Sequence, residues 1–521
     1  MVKEENRIYV QAAKIMAMMV VSMVLARFSA GFFLGVIVLA GMWCAFTEKF
    51  GWAIACYLFL TFCVTINPLL LPPDGVQWSI LYRFGPLSIA FILIISAMRR
   101  HGNHRIPFGG IIPFLVVACI SSVNGWFPSI SYMKLINYSG FIAGLWLGTQ
   151  NLHKRPEDMF IVRATMLAMI GIIVYFSIAF IPYPAVSFAT GLRHALAYGG
   201  VEYANEVAKE ITGDSAYASS LFCGILNHSQ AMSPIAGLAF AFVACDMLFV
   251  EKRFRIPHLI TLMCLVPILF MTRSRLAFMI LLASLIIINF YTVRKIGVNR
   301  RVKQAMTNGM MAFTGLIIIF AVVMEVKDHS ISRWLRKTDD LGGDTRGLKE
   351  ALTSSREGVM EYSLWEFRRN PVFGQGFQVM QEHQYMFKKG EMVFSAPIEK
   401  GVLPVMVLGE TGVVGSIFFA FFVISFLVAA SSRKLYITLT MFLLLLVSNM
   451  GEATFFSPGG VGGVLYIMSI VGGFALDSVL KGEKIRRERE MFYGLGDPYD
   501  PFMQNDWGHN ARLAAPRGGR W

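Results

Sequence analysis

Two guanidinium groups stand at the edge of apolar sequence in Met271-Thr-Arg-Ser-Arg275. Arg273 and Arg275 separate two hydrophobic runs, and an Arg held near lipid costs several kcal/mol unless it is paired or reaches an interface. The plainer reading is snorkelling toward headgroups. The chemical reading is a site for phosphate or diphosphate, because guanidinium grips phosphate oxygens in pairs and keeps its charge. Arg356 lies in an amphipathic stretch from Leu348 to Phe367. It is a second candidate for the same anion, against the plainer reading of a solvated helix face. Arg193, next to His194, is a weaker third.

Proton transfer needs other groups. Asn227-His228-Ser229 precedes an apolar run, and a His there is either a hydrogen-bonded interface residue or a catalyst. Glu399 stands beside Lys400, so a surface ion pair is its plain explanation and general base its chemical one. Glu410 lies inside an apolar run, in Leu408-Gly-Glu-Thr-Gly412. An ionisable residue at that depth is a functional candidate by default. Its alternative is a bond to helix backbone or to Thr411. Glu452 follows another apolar run and reads equally as a loop carboxylate. Phosphate-loop, serine-hydrolase, HExxH and Cys/His metal patterns are not seen. Asp339-Asp340 falls in a predicted outer loop, away from nucleotide substrates. The expectation is therefore metal-independent chemistry with no cofactor.

These residues need elements to hold them. The 521-residue chain is 55% hydrophobic and only 15% charged, with 43 Phe and 30 Met. A soluble domain is about 25% charged, and apolar runs near the bilayer-crossing length recur throughout. The pattern predicts an all-α, polytopic transmembrane bundle. About fourteen spans can be drawn, near 11–26, 30–46, 51–66, 84–98, 106–123, 130–148, 159–182, 230–250, 257–271, 276–292, 305–325, 403–430, 434–449 and 459–480. The first run is followed directly by another, which suits a retained span rather than a cleaved leader. The seven Cys lie mostly inside apolar runs and read as small buried hydrophobes.

The net charge of +14 sits mostly in short loops, so it points to membrane topology rather than to nucleic acid. With the N-terminus in the cytoplasm, the inner segments and tail hold 28 Lys and Arg and the short outer segments hold seven. That bias predicts both termini inside. The organisation expected is N-terminal spans with a first outer loop over 1–229, central spans over 230–325 and a long, partly helical extracytoplasmic loop over 326–402. C-terminal spans over 403–480 and a basic tail over 481–521 complete it. Asn370-Pro371 should end the loop helix, and Gly374-Gln375-Gly376 should turn the chain.

Four segments, in order, resemble the superfamily of O-antigen ligases and of O-antigen and exopolysaccharide polymerases of bacterial inner membranes. They are Gly224 to Gln230, Thr272 to Ala277, Arg356 with Trp365 to Gly376, and Leu408 to Gly415. The likeness covers roughly residues 215–430. One departure matters. The family's ligases carry a His-Asn pair eleven residues before the glycine that here is Gly412, and this chain has Gly401-Val402 there, with Glu399-Lys400 nearest.

The resemblance implies transfer of a glycan from undecaprenyl diphosphate. The departure favours a polymerase, whose acceptor is a second lipid-linked repeat unit, over a ligase that moves a finished glycan to a lipid or protein. On this reading Arg275, Arg273, Arg356 and Arg193 meet the diphosphate, and Glu399 or Glu410 is the base. Asn227, His228 and Glu452 are secondary candidates. The partners implied are the two lipid-linked substrates and membrane lipid, with a chain-length regulator, a flippase and export proteins around them. A reading of another class, a lipid-linked-oligosaccharide flippase, requires internal repeats and broken helices, and the sequence displays neither.

Overall fold

The computed structural model describes residues 6–67, 70–71, 76–98, 108–123, 125–152, 156–183, 187, 222–272, 274–296, 304, 308, 315, 348–380, 402–451 and 453–482. Its regular elements are helical, and the strand-like pairing among the described residues is one antiparallel bridge, Ile66 to Leu226. In order come α1 (Arg7–Phe28), α2 (Ala30–Phe46), α3 (Phe50–Cys63), α4 (Val76–Met98), α5 (Ile111–Val123), α6 (Pro128–Leu152) and α7 (Pro156–Ala179). Then follow α8 (Ser229–Cys245), α9 (Ile256–Met271), α10 (Arg275–Ile287), α11 (Leu348–Arg369), α12 (Leu403–Ser432), α13 (Tyr436–Ser448) and α14 (Gly460–Gly482).

Among the described residues six helices are long and apolar enough to cross a membrane, and six more are apolar but shorter. Composition sorts them. The stretch Gln230–Glu251 is buried along nearly all of its most apolar part and forms the centre, whereas α12 is mostly unburied and turns Ile417, Phe421, Ile424 and Val428 outward. A helix apolar on every face has to be buried or to sit in lipid, and this bundle does both. The expected span at 305–325 lies outside the described residues, apart from Asn308 and Gly315.

Small residues set the close contacts. At Gly144 of α6 a Cβ would stand 2.5 Å from that of Ala90 on α4, so the two backbones meet. Several helices pass through one π-helical turn, among them Asp246–Glu251 after α8 and Ile288–Thr292 after α10. Such turns widen a helix locally and often accompany functional side chains.

Two expectations are corrected. The third span, drawn to residue 66, stops at Cys63, because Asn67 N–H donates to Ile225 O at 2.8 Å and Asn227 N–H to Thr65 O at 2.7 Å. The run drawn as one helix over 403–430 is interrupted, since Gly412 has φ 66° and ψ −166°. Helix breaks, which the sequence does not display, are therefore present.

The segments between helices gather at two ends. At one end meet 64–67, 125–127, 222–228, 370–380, 449–451 and 453–459, joined by hydrogen bonds from Asn67 to Ile225, from Trp126 to Gln375 and from Leu403 to Asn449. All of these are segments that the charge bias assigns to the outer side.

Candidate functional site

The break in α12 is the organising feature of that end. Around Gly412 the backbone leaves the helical path, and its polar groups are taken up by the turn after α11. Gln375 N–H donates to Gly409 O at 3.0 Å and Gly376 N–H donates to Glu410 O at 3.1 Å. In return Val413 N–H donates to Pro371 O at 2.9 Å and Val414 N–H to Val372 O at 3.3 Å. The Ser121 hydroxyl adds a bond to Glu410 O at 2.6 Å. An interrupted helix inside a bundle has to find such partners, because unpaired backbone is costly there.

Glycine makes the contact possible. Gly374 has φ 73°, and a Cβ on it would lie 2.3 Å from the Glu410 carbonyl carbon. A Cβ on Gly412 would meet Val372 O at the same distance, 2.3 Å. The turn is pinned from below by Phe377, which is fully buried with its ring 5.2 Å from Phe456 and 5.9 Å from Tyr138. Ser131 donates to Phe377 O at 2.8 Å, and Lys134 Nζ donates to Gln378 O at 3.0 Å.

Glu410 sits at the centre of this clasp and is fully buried. Glu366, on the buried face of α11, also has no exposed surface, and its Oε2 lies 3.5 Å from where a Cβ of Gly409 would be. His228 caps α8, its Nδ1 accepting Gln230 N–H at 3.0 Å. That is the plain hydrogen-bonded role weighed for it. Asn227 neighbours it, and its buried Oδ1 accepts no hydrogen bond among the described residues.

Arg275 opens α10, and Leu276 beside it packs against Gly451, where a Cβ would come within 2.9 Å of Leu276 Cδ1. Arg356 is on α11, seven residues before Ser363, whose carbonyl oxygen would touch a Cβ on Gly409 at 2.8 Å. The backbones of both arginines are thus carried by elements of this one end, while their side chains lie outside the described ones. Arg193, Arg273, Glu399 and Glu452 also lie outside the described residues.

Several residues here go unmarked in the sequence. Lys134 reads as an ordinary outer-loop cation, yet it is only 8% exposed. Glu366, Ser121 and Trp126 reach the clasp through long-range contacts that spacing cannot reveal. The available signal is polarity in apolar company, as with Glu366 between Trp365 and Phe367.

The broken helix hands its freed backbone groups to the neighbouring turn. Its loosened carbonyls at Gly409 and Glu410 already accept backbone N–H groups, whereas the unwound helices of transporters turn such carbonyls toward the cargo. Many apolar helices around a buried core, with polar loops gathered at their ends, define a multi-pass membrane protein. Residues 260–420, from α9 through the break in α12, match the family model described as O-Antigen ligase. That match supports the likeness to the O-antigen ligase and polymerase superfamily, and three of the four motifs, Thr272 to Ala277, Arg356 with Trp365 to Gly376, and Leu408 to Gly415, fall inside it. No curated protein matches the chain.

Proposed function

We propose that this protein is a polysaccharide polymerase of the bacterial inner membrane, working at the extracytoplasmic face with both termini in the cytoplasm. It transfers a glycan chain from undecaprenyl diphosphate to the terminal sugar of a second lipid-linked repeat unit. The observation that carries this reading is the clasp itself: the turn after α11 and the break in α12 meet inside the stretch that matches the family. Gly401-Val402, in place of the ligases' His-Asn pair, supports polymerase over ligase.

The reaction makes three demands. The acceptor hydroxyl oxygen attacks the anomeric carbon of the donor sugar as the bond from that carbon to the diphosphate oxygen breaks. The electron pair leaves on undecaprenyl diphosphate, which needs fixed positive charge where its own charge develops. Arg275, Arg273 and Arg356 are assigned to it, with Arg193 as an outer contributor. The hydroxyl proton goes to a base within hydrogen-bond reach. Glu399 is assigned that role, with the fully buried Glu410 as second choice. The lipid tails need apolar walls open to the bilayer, which the outward faces of α12 and its neighbours offer.

The test is polymer formation in a strain that lacks the chromosomal copy. Arg275→Ala, Arg356→Ala and Glu399→Gln should each abolish polymer at unchanged protein level, leaving single repeats on the carrier. Polymer of normal length in both arginine variants removes the diphosphate role. Long lipid-linked chains accumulating without the protein would show a ligase instead, and precursor trapped on the inner leaflet would show a flippase.

A further inference from the structure

On α11, Tyr362, Trp365 and Arg369 are spaced three and four residues apart and therefore share one face. Trp126 joins them from the segment between α5 and α6. Its position is fixed by the turn of the clasp, since Trp126 N–H donates to Gln375 O at 3.2 Å. Gly125 lies so close that a Cβ on it would be 2.7 Å from that same oxygen. The result is a row of rings. Tyr362 and Trp365 are 5.6 Å apart at 34°, and Trp365 and Trp126 are 6.4 Å apart and parallel within 5°. The Arg369 guanidinium lies 4.6 Å from the Trp365 ring centre and 5.2 Å from that of Trp126. Trp365 is 37% exposed, and Arg368 and Arg369 are exposed beside it.

We infer that this row is a binding track for the sugar rings of a glycan chain, a subsite next to the clasp. The chemistry matches on both sides. A pyranose shows C–H groups on its ring faces and hydroxyls at its rim. Indole faces carry negative charge density that attracts those C–H groups, and a guanidinium planted on the rings donates hydrogen bonds at the rim. A run of rings rather than one suits a chain rather than a single sugar. The turn that fixes Trp126 also holds Gly409 and Glu410, so a chain on the row lies next to the clasp. Tyr and Trp also gather at membrane–water interfaces. An interfacial belt, however, does not require one indole to be tied by its main chain to the clasp, nor an arginine laid on the ring faces instead of extended toward headgroups.

The inference rests on the polymerase reading for the identity of the chain, and the experiment separates the two. The probe is the carrier-free repeat-unit oligosaccharide, released by mild acid from the strain's own lipid-linked precursor. It is titrated calorimetrically into the full-length protein in detergent. Trp365→Ala and Trp126→Ala should each weaken binding about tenfold or more, equivalent to about 1.4 kcal/mol. Trp365→Phe, which keeps an aromatic face, should stay much closer to wild type and controls for folding through its melting temperature. In the transfer assay Trp365→Ala should raise KM for the glycan acceptor more than it lowers kcat. The track is refuted if wild type does not bind the oligosaccharide, or if both alanine variants bind it as wild type does. Unchanged oligosaccharide binding with poorer retention in membranes would also refute it, and would make the row an interfacial belt. If wild type binds through the row yet adds no repeats to a lipid-linked acceptor, the track stands and the polymerase reading falls.

Discussion

Gly412 shows how much one residue decides here. Its φ of 66° with ψ of −166° lies in a region that is essentially reserved for glycine. A side chain there meets two obstacles at once, the backbone strain and the carbonyl oxygen of Val372 at 2.3 Å. The neighbouring obstacle is main chain, so it cannot swing aside as a flexible side chain could. Gly412→Ala should therefore cost more than the roughly 1–3 kcal/mol of the strain alone, lower the melting temperature and abolish transfer. Gly35→Ala is the control, because nothing stands within 4 Å of the site of its Cβ. Melting curves of the two purified variants decide the matter, and a Gly412→Ala protein that melts with wild type would mean that the break is not a fixed part of the fold.

Helices and turns differ in how far the amino-acid pattern reveals them. The end of α11 is legible from local chemistry: Pro371 cannot continue a helix, and the helix expected from Leu348 to Phe367 runs from Leu348 to Arg369. For the candidate residues only backbone placement can be compared: Arg275, Arg356 and Glu410 lie on α10, α11 and α12. The break in α12 is not legible, because hydropathy averages over a window and Leu403–Ser432 as a whole stays strongly apolar despite Glu410 and Thr411. Pro86, Pro234 and Pro267 are the opposite case, since the spans drawn through them are helical at all three. A bundle can supply alternative partners to the backbone groups that such a proline releases. The clasp is the least legible feature, because each of its bonds joins segments far apart in the chain. Phe377 ties that turn to the core, and this gives a prediction at the same scale. Phe377→Ala should cost about 3–5 kcal/mol, as large-to-small changes in cores do. Phe377→Leu should cost less. Thermal unfolding in detergent measures both, and equal melting of Phe377→Ala and wild type would show that the turn is held without its ring.

Across the whole molecule, the clasp has a counterpart at the opposite end of the bundle. There Arg163 of α7 reaches Asp246 through Nε at 2.8 Å and one terminal nitrogen at 3.1 Å, and also meets Glu251. His258 Nε2 stands 2.9 Å from Asp246 Oδ2, the Tyr9 hydroxyl is 2.8 Å from His258 Nδ1, and Arg255 reaches Glu251 at 3.2 Å. These contacts link α1, α7, α9 and the π-helical turn after α8, and Asp246 has no exposed surface. Charge buried this way stabilises little in net terms, yet removing one partner strands the other, typically at about 3–5 kcal/mol. Asp246→Asn and Arg163→Met should each lower the melting temperature and the amount accumulated in membranes. The double variant should cost less than the sum of the two, because neither charge is then left without its partner. The activity that remains per folded molecule should stay near wild type, since the network lies at the starts of α7 and α9 and the clasp at the other ends of the helices. A double-mutant cycle on melting temperature and membrane yield measures the coupling, and strictly additive losses would show that the four elements are held together by packing alone.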